Sequence, residues 1–483
     1  VINNEQALLN RHTTRSGAII AALYHMDNPL KPASHSESFF SNTLSEPALH
    51  NSAQHTERIS KQSAQYDLEE LSALLATLNI ATLHSVLQKR IRPTTTYYLG
   101  KGKIQYIAQK AQQLNAGVIV IDGELTGPQQ RNIESLTHCQ VLDRSGIILE
   151  IFSQHASTHM ARIQVQMAKW QYLLPKLVGA WSHFSRQAGG GVKSRGMGEK
   201  QIEIDRRIAR SKIASLRKKL DHIQVEKTEQ RKLRQECFKV AIVGYTNSGK
   251  TTLMQGITQA HEAGQDQLFA TLSARVKSIH PSKHPQILFT DTVGFIRRLP
   301  HSLIKSFHST LQETLDAHLC LHVIDVSHPQ CAMQMNTTHE VLKDIGAQHL
   351  DIIHVFNKTD RLDDPLRKKI IQKRYPDSVW MSAFSKDDIH SISERIWDYF
   401  QKYFCAASLR VHIQNSALIS MIYQHAVVLE ADYEQQGSVE FKVKAKISSL
   451  KKIEKHLIKT GGSIHIITKH AHQKSSLGGA YLM

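Results

Sequence analysis

Residues 239–251 read Lys239-Val240-Ala241-Ile242-Val243-Gly244-Tyr245-Thr246-Asn247-Ser248-Gly249-Lys250-Thr251. The apolar run predicts a buried strand, the next eight residues fit G-x-x-x-x-G-K-[ST], and Leu253 follows as the first apolar residue of a helix. A loop of this kind between a strand and a helix is built for phosphates. Its glycines let the backbone wrap an anion with N–H groups pointing inward, and the helix N-terminus adds a favourable dipole. Lys250 brings charge to the β- and γ-phosphates, and Thr251, followed by Thr252, offers a hydroxyl to Mg2+. The strand-then-helix order predicts an α/β unit with a mostly parallel sheet.

Working outward, Ile287-Leu288-Phe289-Thr290 predicts a strand ending at Asp291, with Asp291-Thr292-Val293-Gly294 after it. Asp291 at a strand end can hold Mg2+ through water, and the Gly294 N–H can sense the γ-phosphate. Ile352-Ile353-His354-Val355-Phe356 then leads into Asn357-Lys358-Thr359-Asp360. A carboxylate at Asp360 accepts the guanine N1–H and 2-amino group. Adenine would leave it unpaired, at a cost of several kcal/mol. The Lys358 stem can lie along the base, and Met381-Ser382-Ala383 places the Ser382 and Ala383 backbone N–H groups for the guanine oxygen. These elements, in this order and each at a strand's C-terminal edge, specify a GTPase that turns GTP into GDP and phosphate with Mg2+. Lys250 and Gly294 are the catalytic candidates from the residues alone.

The rest of the 483 residues suggests further units. Segment 1–156 predicts an N-terminal α/β domain. In it Ala18 to Leu23 and Val118 to Ile121 are strand candidates, Leu68, Leu71, Leu74, Leu75 and Leu78 form a helical stripe, and 25–63 reads as a loose insertion. Segment 157–236 predicts a helical hairpin. Ile163, Met167, Trp170 and Leu174 stripe its first helix up to Pro175, and Ala209, Ile213, Leu216, Leu220 and Ile223 form the seam of the second. Between them runs a Gly-rich loop, from Ala188-Gly189-Gly190-Gly191 through Gly196-Met197-Gly198, flanked by Arg186, Lys193, Arg195 and Lys200. Basic residues on a flexible backbone suit contact with a nucleic-acid backbone. The nucleotide domain spans 237–403, and 404–483 predicts a small C-terminal α/β or α+β unit.

Lys and Arg number 60 against 42 Asp and Glu, a formal charge of +18 that favours RNA, DNA or an anionic membrane surface as partner. Five scattered Cys without C-x-x-C, and no secretion signal, predict a reducing compartment, with Cys237 and Cys320 in the core. The 29 His form no H-E-x-x-H pattern, and no protein-only metal site is read from the sequence. The longest apolar runs, such as Leu319 to Val326, are too short to span a bilayer.

The phosphate loop, Leu268-Phe269-Ala270-Thr271-Leu272, Asp291-Thr292-Val293-Gly294-Phe295-Ile296, Leu299-Pro300-His301 and Thr310-Leu311-Gln312-Glu313 resemble the HflX family of translation-associated GTPases. So do Gly100-Lys101-Gly102-Lys103, Gln130-Arg131-Asn132, Asp143-Arg144, Gln164-Val165-Gln166-Met167-Ala168, Ser185-Arg186-Gln187 and Glu203-Ile204-Asp205-Arg206-Arg207. The resemblance runs from about 90 to 360. It implies an N-terminal α/β domain, a two-helix hairpin, a GTPase domain and a small C-terminal domain. It further implies binding to the large ribosomal subunit and the splitting or rescue of ribosomes under stress. The expected protein is a cytoplasmic monomer that does not act on DNA and meets membranes peripherally at most.

The same resemblance makes Thr271 a switch-I Mg2+ ligand and catalytic candidate. It sets Asn247 where some related GTPases coordinate K+; a plain turn residue is the competing reading. Phe295 stands where many GTPases carry a water-positioning Gln, so the ribosome would supply the stimulus to hydrolysis. The chain departs from the family pattern at Ser273-Ala274-Arg275-Val276-Lys277, at Gly198-Glu199-Lys200 and at Ala317-His318. Two other readings stand beside ribosome splitting: a slow GTP-gated ribosome or RNA assembly factor, and a membrane-peripheral regulator.

Overall fold

The computed structural model describes residues 17–24, 52–177, 195–233, 237–258, 269, 275–279, 286–292, 294–298, 314–433, 437–459 and 463–468. Three sheets follow one another along the chain. The first holds β1 (Ala18–Tyr24), β2 (Thr82–Lys89), β3 (Val118–Asp122) and β4 (Gln140–Asp143), all parallel, in the order β2-β1-β3-β4. Alternate residues of its central strands point to opposite faces. Ile20 and Val120 pack with Leu68, Leu71 and Leu75, whereas Ile19 and Ile119 pack with Ile104, Ile107 and Ile133. Both faces are therefore apolar, as a parallel sheet covered on both sides requires.

The covering helices are α1 (Ser52–Thr77), α2 (Lys101–Gln113), α3 (Gly127–Thr137) and α4 (Arg144–His155). α1 corrects one expectation: its first turns occupy 52–63, which reads in sequence as loose chain. That stretch carries no Gly or Pro. Once the leucine stripe anchors the helix, each further residue adds a hydrogen bond at low cost.

α5 (His159–Leu173) and α6 (Arg195–Leu233) form the hairpin. Met160, Ile163 and Met167 pack against Leu216 and Leu220, with Trp170, Ile213 and Ile223 at the edge of the seam. Residues 195–198, expected in the loop, begin α6, while Gly189 to Gly191, Arg186 and Lys193 lie outside the described residues.

The second sheet contains β5 (Phe238–Gly244), β6 (Arg275–Ile279), β7 (Ile287–Asp291), β8 (Leu319–Asp325), β9 (Asp351–Asn357) and β10 (Val379–Trp380). Its order is β10-β9-β8-β5-β7-β6, parallel except for β6, which runs antiparallel to β7 at the edge. α7 (Lys250–Thr258), α8 (Cys331–Asp344), α9 (Pro365–Arg374) and α10 (Lys386–Gln401) accompany it. The motif segments leave β5, β7, β9 and β10 at their carboxyl ends, which is where open α/β sheets bind ligands. Cys320 is fully buried, but Cys237 is only partly so, because it precedes the strand.

The last sheet is antiparallel, β12-β13-β11-β14, from β11 (Phe404–His412), β12 (Val427–Tyr433), β13 (Ser438–Lys446) and β14 (Ser463–Thr468). α11 (Ser416–His425) and α12 (Ile447–Lys459) pack on it through Leu418, Ile422, Leu450, Ile453 and Leu457. Lys446 lies 3.6 Å from the Phe238 ring centroid, joining this unit to the start of the central sheet. Among the described residues no helix is long and apolar enough to cross a membrane.

Candidate functional site

β5 delivers the chain to Gly244, whose φ is +154° and whose missing Cβ would stand 2.2 Å from the Val323 carbonyl oxygen. Only glycine fits so close to β8. Gly249, at φ +93°, has the same need: a Cβ there would come within 2.2 Å of Asn357 Nδ2. The loop also pairs with the segment after β7. Thr246 N–H donates to Phe295 O at 2.8 Å, and Phe295 N–H donates to Gly244 O at 3.1 Å.

Lys250 folds back over this loop, donating from Nζ to the Tyr245 carbonyl at 2.6 Å. Burial pushes its pKa down to about 8, partly opposed by Asp291. A Cβ on Gly294 would lie 3.1 Å from the Lys250 Nζ and 2.9 Å from Thr246 Cγ2, so the ammonium, the loop and Gly294 converge. Thr251 Oγ1 donates to Asp291 Oδ2 at 2.9 Å, bringing two hard oxygen donors together. The Thr246 and Ser248 hydroxyl oxygens are buried and have no protein partner among the described residues. Oxygen-only donors beside a buried ammonium fit a Mg2+-bound phosphate, since Mg2+ prefers one or two protein oxygens together with substrate phosphates. Thr252 lies half-buried on α7 behind them, while Thr271 falls outside the described residues.

On the base side, Asn357 is buried and ties three loops together. Its Nδ2 donates to Ser248 O at 2.8 Å, and its Oδ1 accepts the Ala383 N–H at 2.9 Å. The Ser382 N–H donates to Asp388 Oδ2 at 2.8 Å. Both amides assigned in sequence to the guanine oxygen are thus engaged by side chains and hold the loop in place. Lys358 adopts φ +61°, and its Nζ pairs with Asp325 Oδ2 at 2.7 Å. Asp325 belongs to no sequence motif; its position at the end of a buried strand beside Asn357 is the signal that points to it. Asp360 sits on a short 3-10 turn (Thr359–Arg361), its side chain 46% exposed.

The N-terminal domain forms the opposite wall. The Tyr245 side chain leaves the phosphate loop and donates its hydroxyl to Glu70 of α1, while accepting the Arg297 N–H at 2.9 Å. Burial, then Glu70, pushes the Tyr245 hydroxyl pKa well above its ordinary value. Arg297 pairs with Asp67 at 2.6 Å, and Arg298 bridges Asp67 at 3.2 Å and Asp122 at 2.6 Å. Arg144 joins Asp122 at 3.0 Å and also contacts Glu70. Burial opposes the Arg144 charge, but Glu70 and Asp122 outweigh it and raise its pKa. Asp67 behaves oppositely: burial raises its pKa despite the two arginines. Phe269 reaches the same wall, its ring edge-on to Phe152 at 4.8 Å. A cavity of about 230 Å3 opens between the walls, bordered by Glu70, Tyr245, Thr246, Asn247, Arg297 and Asp325.

Phe295 turns inward and is 2% exposed, packed with Ala241, Val243, Ala317 and Cys320. It presents no polar group to the phosphate side.

Residues 65–153 match a family model described as GTP-binding GTPase N-terminal, 155–234 the GTP-binding GTPase middle region, and 239–358 the 50S ribosome-binding GTPase. The chain is 36% identical over 384 residues to GTPase HflX of Escherichia coli, covering 79% of this chain and 90% of that protein. It is 35% identical over 426 residues to GTPase HflX of Gluconacetobacter diazotrophicus, covering 81% of this chain and 93% of the relative. GTPase HflX of Spirochaeta thermophila is 36% identical over 374 residues, with 77% and 90% covered. The phosphate loop, the strand-end aspartate and the three matched regions lead to one assignment: this chain belongs to the HflX family of GTP-binding, GTP-hydrolysing P-loop proteins.

Proposed function

We propose that this GTPase is a switch on the large ribosomal subunit, using GTP hydrolysis in the splitting or rescue of ribosomes under stress. The observation that carries it is the convergence of Lys250, Gly294 and the Thr251–Asp291 pair in one cleft, in a region matching a 50S ribosome-binding GTPase model. Lys250 would neutralise phosphate charge, and the Gly294 N–H would report the γ-phosphate. Thr251 and Asp291, with Thr271 from switch I, would hold Mg2+, which would offset phosphate charge. Asp360 would read the guanine edge while Asn357, Ser382 and Ala383 fix the loops around it. Gly244, Tyr245, Thr246, Asn247, Ser248, Gly249 and Thr252 would complete the phosphate side, Tyr245 through its backbone.

In the same proposal the chain divides at about 156, 236 and 403 into an N-terminal α/β domain, a helical hairpin, the GTPase domain and a small C-terminal unit. In this reading the protein works as a cytoplasmic monomer, touching RNA rather than DNA and membranes at most peripherally. The second reading, a slow GTP-gated assembly factor, draws on Phe295, whose buried ring supplies nothing to orient water.

The test is GTP hydrolysis with and without purified large subunits, in potassium and then in sodium. Strong stimulation by the subunit, beyond that of free RNA of equal charge, supports the switch; tight GTP binding without stimulation supports the second reading. Faster turnover in potassium than in sodium would give Asn247, exposed at φ +58°, a cation-binding role.

A further inference from the structure

Two histidines interrupt apolar strips on neighbouring strands. β8 and β9 are parallel and in register, so His322 stands beside His354, and each shares its face with apolar residues: Cys320 and Ile324 on β8, Ile352 and Phe356 on β9. α8 covers this face through Met335, Val341 and Leu342, and brings His339 over the pair. The three imidazole centroids lie 5.2, 5.5 and 5.7 Å apart, and one ring nitrogen from each falls within 4.8 Å of the other two.

Hydrogen bonding within the protein does not account for this arrangement. His322 is 1% exposed, and its Nδ1 is buried without a partner among the described residues, as is Nε2 of His354. Buried polar atoms are normally paired, and an unpaired one costs about 1–3 kcal/mol. A bound cation would use imidazole lone pairs that the protein leaves unused. Burial also lowers the pKa of all three rings, that of His354 to about 4, which keeps them neutral and ligand-competent at neutral pH.

We propose that His322, His339 and His354 form a three-imidazole site for a divalent transition metal of the Zn2+ class, separate from the nucleotide cleft. Imidazole suits Zn2+ among the first-row ions, and three His ligands leave one position for water. Tetrahedral Zn2+ with bonds of about 2.0–2.1 Å needs ligand nitrogens about 3.3 Å apart, so the rings must close by at most roughly 1.5 Å. His339, exposed on α8, is free to make that movement. Metal there would pin α8 to the two strands whose ends carry Asp325 and Asn357.

Cobalt(II) titration of the full chain tests this, because cobalt in a low-coordinate nitrogen site absorbs strongly in the visible. The wild type should take up one equivalent with that band, displaced by Zn2+. His339→Ala should lose it, with affinity falling by more than the roughly 10–100-fold typical of losing an outer-shell partner. With 29 His in the chain, adventitious binding needs a control, and His349→Ala, a surface change outside the triad, should keep the band. GTP affinity, measured in parallel, reports that each variant is folded. A wild type with only the weak octahedral spectrum, or a folded His339→Ala that keeps the band, would overturn the site whatever the protein does on ribosomes.

Discussion

The hydroxyl of Tyr245, a phosphate-loop residue, donates to the Glu70 carboxylate on α1 and accepts the Arg297 backbone N–H. One oxygen therefore links the loop, the segment after Gly294 and the N-terminal domain. Around it lie Arg297, Arg298 and Arg144, paired with Asp67, Asp122 and Glu70. Any movement of the Gly294–Arg298 segment must break or carry these pairs, so nucleotide contacts on one side of the cleft bear directly on the position of the N-terminal domain.

Tyr245→Phe isolates that oxygen. The substitution keeps the ring and the loop backbone but leaves the Arg297 N–H and a half-buried Glu70 oxygen short of a partner. We expect the interdomain contact to weaken by about 1–3 kcal/mol. Hydrogen exchange should accelerate in α1 and at 295–297, while GTP affinity stays within about threefold, since the hydroxyl points away from the phosphates. Unchanged exchange would mean that the salt bridges alone hold the wall.

Lys250 makes a pH prediction. Its folded pKa is pushed down to about 8 from an ordinary 10.5, so between those values the unfolded chain binds more protons than the folded one. By linkage, ligand-free stability rises with pH across that window, by at most a few kcal/mol. Bound phosphates reverse the burial penalty and restore the ammonium. Calorimetry in buffers of different ionisation enthalpy should therefore show close to one proton taken up on GTP binding at about pH 9 and almost none at about pH 7. Lys250→Ala should abolish both the uptake and tight binding; submicromolar affinity in that variant would remove Lys250 from the site.

How much of this was legible beforehand depends on distance along the chain. Gly244 to Thr251 is one local strand–loop–helix unit, and its glycines meet a steric demand that sequence spacing reveals. Asp360 is equally local. Tyr245 fits the loop pattern with any side chain, and its real target, Glu70, lies 175 residues away, beyond the reach of periodicity. Asp67 and Asp122 belong to no sequence motif, and their arginine partners lie 230 and 176 residues away. Only the packing of the two sheets shows that arginines cover them. Likewise His322, His339 and His354 have no motif spacing, because a parallel strand pair and its crossover helix set their separation. α1 began earlier than expected because composition reports average polarity, whereas a helix anchored by Leu68 and Leu71 extends into polar sequence.

Asp360→Asn tests base recognition. A carboxylate accepts both the N1–H and the 2-amino group of guanine, while an amide presents a donor that suits the extra carbonyl of xanthine. We expect GTP affinity to fall by about 100-fold, the scale of losing charged hydrogen bonds, with XTP bound better than by the wild type. The side chain is 46% exposed and, among the described residues, makes a loose 3.9 Å contact with Arg361, so the fold should be unaffected. An unchanged GTP/XTP ratio in competition binding would exclude Asp360 from the base pocket.

Phe295→Gln is the substitution that comparison with glutamine-bearing GTPases suggests, and we expect it to fail as a gain of function. The backbone at 295 is fixed on both sides, its N–H to Gly244 O and its carbonyl to the Thr246 N–H, so the side chain cannot easily swing toward the phosphates. Glutamine would place an amide among Ala241, Val243, Ala317 and Cys320, where the phenyl ring is 2% exposed. Losing the ring and burying an unpaired amide should together cost about 3–5 kcal/mol. The urea midpoint should fall, and subunit-free turnover should not rise. A faster intrinsic rate in a stable Phe295→Gln protein would show that position 295 can face the cleft, and that the low-activity reading of this residue is wrong.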